Sequence, residues 1–106
     1  MMVEKRNLIV KKGMFNGIDS IGVVGAFDMV DAQVDKIAEE ILEQGKKDIV
    51  FDFKETSYLT SSGIAVLIKV LKKVKKQQGT LYIANVTQDV YDLLACSSLD
   101  KFLNYV

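Results

Sequence analysis

The sequence predicts a single α/β domain over residues 1–106: a mixed sheet of four to five strands, opened by an antiparallel hairpin, with helices packed on it. Three observations carry this reading. Short β-favouring runs alternate with two stretches of helical apolar period, the pattern of successive βα units. Asn16-Gly17 separates the first two β runs, and that dipeptide tolerates the two positive φ angles of a tight hairpin. The chain has no proline, repeat, linker or low-complexity segment to divide it into separate bodies.

The hairpin joins Leu8-Ile9-Val10 to the run from Ile18 to Gly25, with Gly13 as a competing turn or bulge. Val30 to Gln44 then switches to helical period, because Val30, Val34, Ile37, Ala38, Ile41 and Leu42 share one face. Asp28 or Asp31 can cap that helix, and Gly45 stands where a left-handed residue ends one. Asp48 to Phe53 reads as a strand, reached by a link short enough to imply parallel pairing through a right-handed crossover. Lys54 to Thr60 reads as a polar loop. A second helix begins near Ser61–Ser62 and runs to about Gln78, where Gly79 stops it. Ile64, Leu67, Ile68, Leu71 and Val74 form its buried stripe, and Lys69, Lys72, Lys73, Lys75 and Lys76 crowd its C-terminal half, which suits the macrodipole. Thr80 to Ala84 is a further strand. Thr87 or Asp89 opens a short helix through Cys96, and Phe102 to Val106 forms a last strand or extended tail.

Composition excludes whole classes of chemistry. Without histidine there is no Ser–His triad, imidazole base or histidine metal site. The single Cys96 cannot close an internal disulfide, which fits a reducing cytoplasm, and its apolar neighbours Val90, Leu93, Leu94 and Leu99 imply a small buried hydrophobe. Fourteen basic and fourteen acidic residues cancel, leaving no global field for nucleic acid or an anionic membrane. The lysine run lacks the interleaved aromatics and arginines of a nucleic-acid surface and reads as a solvated face. The longest apolar run, Ile64 to Ile68, is far short of the ~20 residues that span a bilayer, so no membrane insertion is expected. Asp52 stands alone in its strand and is suited to tying down the following loop rather than to holding a metal. No glycine-rich phosphate loop is present, and no cofactor is expected.

One stretch remains, Thr60-Ser61-Ser62-Gly63 at a strand–loop–helix junction. A hydroxyl there can cap the helix, worth roughly 1 kcal/mol. Three hydroxyls exceed that need, however, and Gly63 in the first turn costs up to ~1 kcal/mol relative to alanine unless something approaches closely. The helix start also suits an anion. A phosphate on Ser61 would gain ~0.3–1 kcal/mol from the helix end. It would also place about −1.5 to −2 charges on the surface, leaving the fold intact while spoiling a partner interface.

The segment Asp52 to Leu67, with Thr60-Ser61-Ser62-Gly63 at its centre, resembles the signature of bacterial anti-sigma factor antagonists of the STAS family (sulfate transporter and anti-sigma factor antagonist). Gly25-Ala26-Phe27-Asp28 is similar to a second family feature, and Gly79 to Lys101 to the family's strand–helix ending, so the resemblance covers almost the whole chain. It implies a regulatory binding protein rather than an enzyme. Its expected partners are an anti-sigma factor that is also a serine kinase and a metal-dependent serine phosphatase. The resemblance assigns the phosphoacceptor to Ser61, with Ser62 as second choice, and partner contacts to Asp28, Thr60, Ser61, Ser62 and Gly63. Asp28 can serve as helix cap and as partner contact together. Thr60 stands where the family usually has aspartate, which keeps a second reading open: a STAS scaffold or transporter accessory subunit that is never phosphorylated. A third, a module binding a nucleotide or lipid, has no pocket signature in the sequence.

Overall fold

The computed structural model describes residues 8–27 and 32–106. Strands β1 (Leu8–Phe15) and β2 (Ile18–Phe27) precede helix α1 (Ala32–Glu43). Then come β3 (Ile49–Asp52), β4 (Thr56–Leu59), α2 (Ser61–Lys76), β5 (Leu81–Ala84) and α3 (Gln88–Cys96). A 3₁₀ turn, Leu99–Phe102, leads into the short β6 (Asn104–Tyr105). The sheet runs β1-β2-β3-β5-β6, and β4 pairs with β2 beyond the end of β3.

The hairpin closes where the dipeptide indicates. Phe15 pairs with Ile18, and Asn16 and Gly17 take φ of 50° and 82°. Gly13 is an ordinary strand position opposite Ser20, so β1 runs to Phe15 instead of ending at Val10. Every pairing other than the hairpin is parallel.

Two expectations need correction here. The sheet has six strands, not four to five, and part of the expected 54–60 loop is β4. Lys54-Glu55 is a turn, but Thr56 begins a strand whose side chain is buried, and threonine packs well on a pleated surface. Capping by Asp28 or Asp31, and a helix start at Val30, lie outside the described residues.

One apolar core fills the space between the sheet and the helices. Ile21, Val23, Ile49, Phe51, Phe53, Leu81 and Ile83 meet Val34, Ala38, Ile41, Leu67, Val70 and Val74, all essentially inaccessible to solvent. Full burial of each such large side chain is worth about 1.5–3 kcal/mol. The buried acid Asp19 is offset by Lys46, 2.7 Å away. Lys73 of α2 reaches α1, where Asp35 lies at 3.0 Å and Glu39 also accepts from it. Partial burial alone would lower the Lys73 pKa, but the hydrogen bonds and charges of Glu39 and Asp35 outweigh it and raise it above the ordinary 10.5.

The helix ends separate two jobs that glycine can do. After α1, Gly45 takes the left-handed conformation, φ 86°, and its N–H donates to Leu42. After α2 the left-handed residue is Gln78, φ 63°, with Gln78 N–H on the Lys75 carbonyl and Gly79 N–H on that of Val74. Gly79 has a different reason to be glycine. A Cβ there would lie 1.8 Å from the Lys47 carbonyl oxygen.

Candidate functional site

The Ser61 junction is built from the C-terminal ends of three parallel strands. Asp52 closes β3, and its Oδ1 accepts from the Lys54 N–H at 3.0 Å and from Asn85 Nδ2 at 2.9 Å. The first bond fixes the turn, as the sequence implied for this acid; the second ties the turn to the end of β5. Phe53 N–H adds a 3.0 Å bond to Ala84, and Thr56 N–H returns to Phe53. The reversal out of β3 is thereby pinned on both sides.

β4 then runs beside the far end of β2 with one residue in excess. Gly25 pairs with Thr56 but Ala26 pairs with Tyr58, so Ser57 is extra. Gly25 holds φ 91° at this irregularity and donates to the Glu55 carbonyl at 2.9 Å, a conformation that excludes most side chains. The buried Thr56 hydroxyl donates to the Val23 carbonyl at 2.7 Å. Leu59 is buried, and Thr60 follows as an extended N-cap whose carbonyl accepts from Ile64 at 2.9 Å.

Ser61 and Ser62 are therefore the first two residues of α2, and both are exposed, whereas Gly63 is buried with Val66 and Leu67. The Thr60 side chain makes no capping hydrogen bond. The cap expected of this hydroxyl cluster is thus absent at α2, although Thr87 supplies one at α3, accepting from Val90 N–H. The N–H groups of Ser61, Ser62 and Gly63 precede the first intrahelical donor, Ile64, and point out of the helix start. No acidic residue occupies the first turn, while Lys73, Lys75 and Lys76 occupy the last. An anion at Ser61 would meet favourable partial charge from the helix and no carboxylate repulsion within its turn.

Two serine hydroxyls are accessible at a helix start, and among the described residues no group of three or more acidic or thiol side chains could hold a metal ion. Asp28 lies outside the described residues; the chain leaves β2 at Phe27, which pairs with Leu59 immediately before Thr60. Cys96 is exposed, contrary to the burial expected from its neighbours: Leu94 turns inward while Leu93 remains 41% exposed. The roles of Gly25, Thr56 and Asn85 were not anticipated. Only Gly25 carries a sequence signal, as a glycine late in a strand.

Residues 18–105 match the model of the STAS domain. The chain belongs to the STAS domain family. A relative of this STAS domain, the anti-sigma-B factor antagonist of Bacillus subtilis, is 29% identical over 87 residues, covering 79% of this chain and 77% of that protein. Among solved structures, the anti-sigma factor antagonist SpoIIAA in its unphosphorylated form superposes with TM-score 0.76 at 19% identity, over 92% of this chain and 88% of that one. An anti-sigma factor antagonist from Mycobacterium paratuberculosis gives 0.77 at 17% identity, over 93% and 85%. The phosphorylated form of SpoIIAA from Bacillus gives 0.69 at 18%, over 92% and 91%. At such identities the superpositions speak to the fold, a mixed α/β sheet opened by an antiparallel hairpin. No helix among the described residues of this STAS domain is long and apolar enough to cross a membrane.

Proposed function

We propose that this STAS domain is an anti-sigma factor antagonist whose partner binding is switched off by phosphorylation of Ser61. The observation that carries the proposal is the exposed Ser61 at the first position of α2, in a helix turn without an acid. A phosphoryl group can be added there without disturbing the core, and it delivers about two negative charges to the surface. The relative from Bacillus subtilis is named for antagonism of an anti-sigma factor, and SpoIIAA is described in unphosphorylated and phosphorylated forms. Transferred to this chain, those names supply an anti-sigma factor as partner; that it uses ATP to phosphorylate serine, opposed by a metal-dependent serine phosphatase, is what the resemblance of the Asp52–Leu67 segment adds to the proposal. Thr60 and Ser62 flank Ser61 on the contact surface, the resemblance adds Asp28 to it, and the buried Gly63 acts by letting the helix start pack closely; the domain acts by binding rather than by catalysis in the cytoplasm.

The test compares Ser61→Asp with Ser61→Ala for binding to an anti-sigma kinase encoded in the same genome, measured by calorimetry. Retained binding by the alanine variant and loss by the aspartate variant is the expected result. Mass spectrometry after incubation with the kinase and ATP should place the phosphate on Ser61, and its appearance on Ser62 would move the acceptor by one residue. Thr60, in the place of the family's usual aspartate, favours the other reading of a scaffold that is not phosphorylated. Equal binding by both variants, with no phosphate incorporated, would establish that reading instead.

A further inference from the structure

A second surface lies at the opposite end of α2. An open groove of about 500 Å³ separates the C-terminal half of α2 from the 3₁₀ turn that follows α3. Its floor is apolar: Ile68 and Leu71 on one wall, Leu99 and Phe102 on the other. Phe102 is 55% exposed, which leaves much of its ring to water. The charged residues lining the groove, among those described, are Lys72 and Lys75. Lys73, on another side of the same helix, is already engaged by Asp35 and Glu39 of α1.

The α2 residues in this groove are 68, 71, 72 and 75, the i, i+3, i+4, i+7 set that one helix presents to another packed along it. The wall is thus a two-turn helix-packing ridge: two aliphatic side chains followed by two lysines whose stems extend the apolar strip and whose ammonium groups mark its rim. An occupant has to bury apolar side chains on the floor and carry negative charge beside the lysines. We infer that this groove docks an amphipathic helix of a protein partner, with an apolar stripe flanked by aspartate or glutamate. The two-turn spacing of the α2 residues along the wall fits a helix packed against it, and the charge complementarity with Lys72 and Lys75 specifies an acidic one.

The rise of an α-helix places Lys72 and Lys75 about 16–21 Å along α2 from Ser61, beyond direct contact with a phosphate there. Docking at the groove is therefore independent of the Ser61 switch, and the proposal does not rest on it. One domain could then hold one partner permanently while exchanging another.

The test uses the full chain, isotopically labelled, titrated with a synthetic peptide of about 14 residues in which leucines at helical spacing are flanked by glutamates. Amide shifts should map to residues 68–75 and 97–102, and the peptide should gain helicity. The same peptide with lysine flanks should bind roughly tenfold more weakly at low salt, as should the acidic peptide to a Lys72→Glu, Lys75→Glu double variant. Phe102→Ser, at an exposed position, should weaken binding while leaving the fold and its unfolding midpoint nearly unchanged. Ser61→Asp should bind the peptide as tightly as wild type. Equal affinity for both peptides, or shifts confined to the Ser61 end, would overturn the inference. So would a protein that ignores the peptide but sediments with phosphatidylglycerol vesicles in a Lys72- and Lys75-dependent way, since the surface would then serve a membrane.

Discussion

Replacing Gly79 by alanine tests whether the reason assigned to this glycine is the correct one. If Gly79 only ended α2, alanine would be tolerated, because the left-handed position belongs to Gln78 and no positive φ holds at 79. Alanine would then stabilise the protein by about 0.4–1 kcal/mol through the unfolded chain. The structure predicts the opposite sign. The added methyl would sit 1.8 Å from the Lys47 carbonyl oxygen, whereas ordinary contact begins near 3.4 Å, so the two backbones must part by about 1.6 Å. That gap opens beside the first bonds of the β3–β5 pairing, Ile49 N–H to Thr80 at 3.2 Å and Thr80 N–H to Asp48 Oδ1 at 2.9 Å. Losing both, with residual overpacking, costs about 2–4 kcal/mol. With a urea m-value near ~1.5 kcal/mol/M, the midpoint should fall by about 1.3–2.7 M. Equilibrium urea denaturation followed by circular dichroism measures this directly. Gln78→Gly is the companion variant, and relief of its left-handed strain should stabilise by about 0.5–1 kcal/mol. A Gly79→Ala midpoint at or above that of wild type would refute the close-approach argument.

Other outcomes follow from single contacts. Lys73→Met should cost about 1 kcal/mol, because it removes the bridge between α1 and α2 and leaves Asp35 and Glu39 as a like-charged i, i+4 pair. Since the folded state raises the Lys73 pKa, its contribution is complete below the ordinary value of 10.5 and is lost as pH rises through the higher folded value. Urea midpoints of wild type and Lys73→Met should accordingly differ by a constant amount between pH ~7 and ~9 and converge above pH ~10.5; a difference that persists undiminished would disprove the linkage. Asp52→Ala removes the acceptor of the Lys54 N–H and the Asn85 amide, for a loss of about 1–2 kcal/mol. Hydrogen exchange at the Lys54 amide should accelerate markedly, and unchanged protection would show that another group holds the turn.

What the residues disclosed in advance was mostly local. Asn16-Gly17 announced its hairpin because the dipeptide meets a backbone requirement that few others meet. The stripe from Val30 to Leu42 announced α1 because one apolar face has to be buried, although Val30 itself lies outside the described residues. Asp52 was legible as a loop anchor, since an isolated acid ending an apolar strand needs donors. β4 was not legible: four residues with three hydroxyls show no strand period, and their pairing partner lies some thirty residues earlier on β2. Cys96 was misjudged because composition around a helical residue does not say which way it faces. The missing cap at Thr60 was equally hidden, because Thr87 shows the residue type to be competent and only the local backbone decides. At the site, the positions of Ser61 and Ser62 were readable from the junction, whereas the roles of Asn85 and Thr56 arise from contacts distant in sequence.

The extra residue in β4 has a consequence for how this segment can change in length. Thr56 and Leu59 are both buried although they stand three apart, which a regular strand with its alternation of two does not allow. Ser57 absorbs the mismatch of phase. Removing Ser57 would leave Thr56 and Leu59 two apart, in phase for a regular strand and with Leu59 still opposite Phe27, whereas removing Thr60, between Leu59 and α2, would rotate the first helical residues by about 100° around the axis. A serine that now faces outward would then face elsewhere, with its identity unchanged. The step from Leu59 to Ser61 therefore behaves as a fixed ruler, while the extra residue at 57 is the place where this segment can shorten without changing which way the serines face.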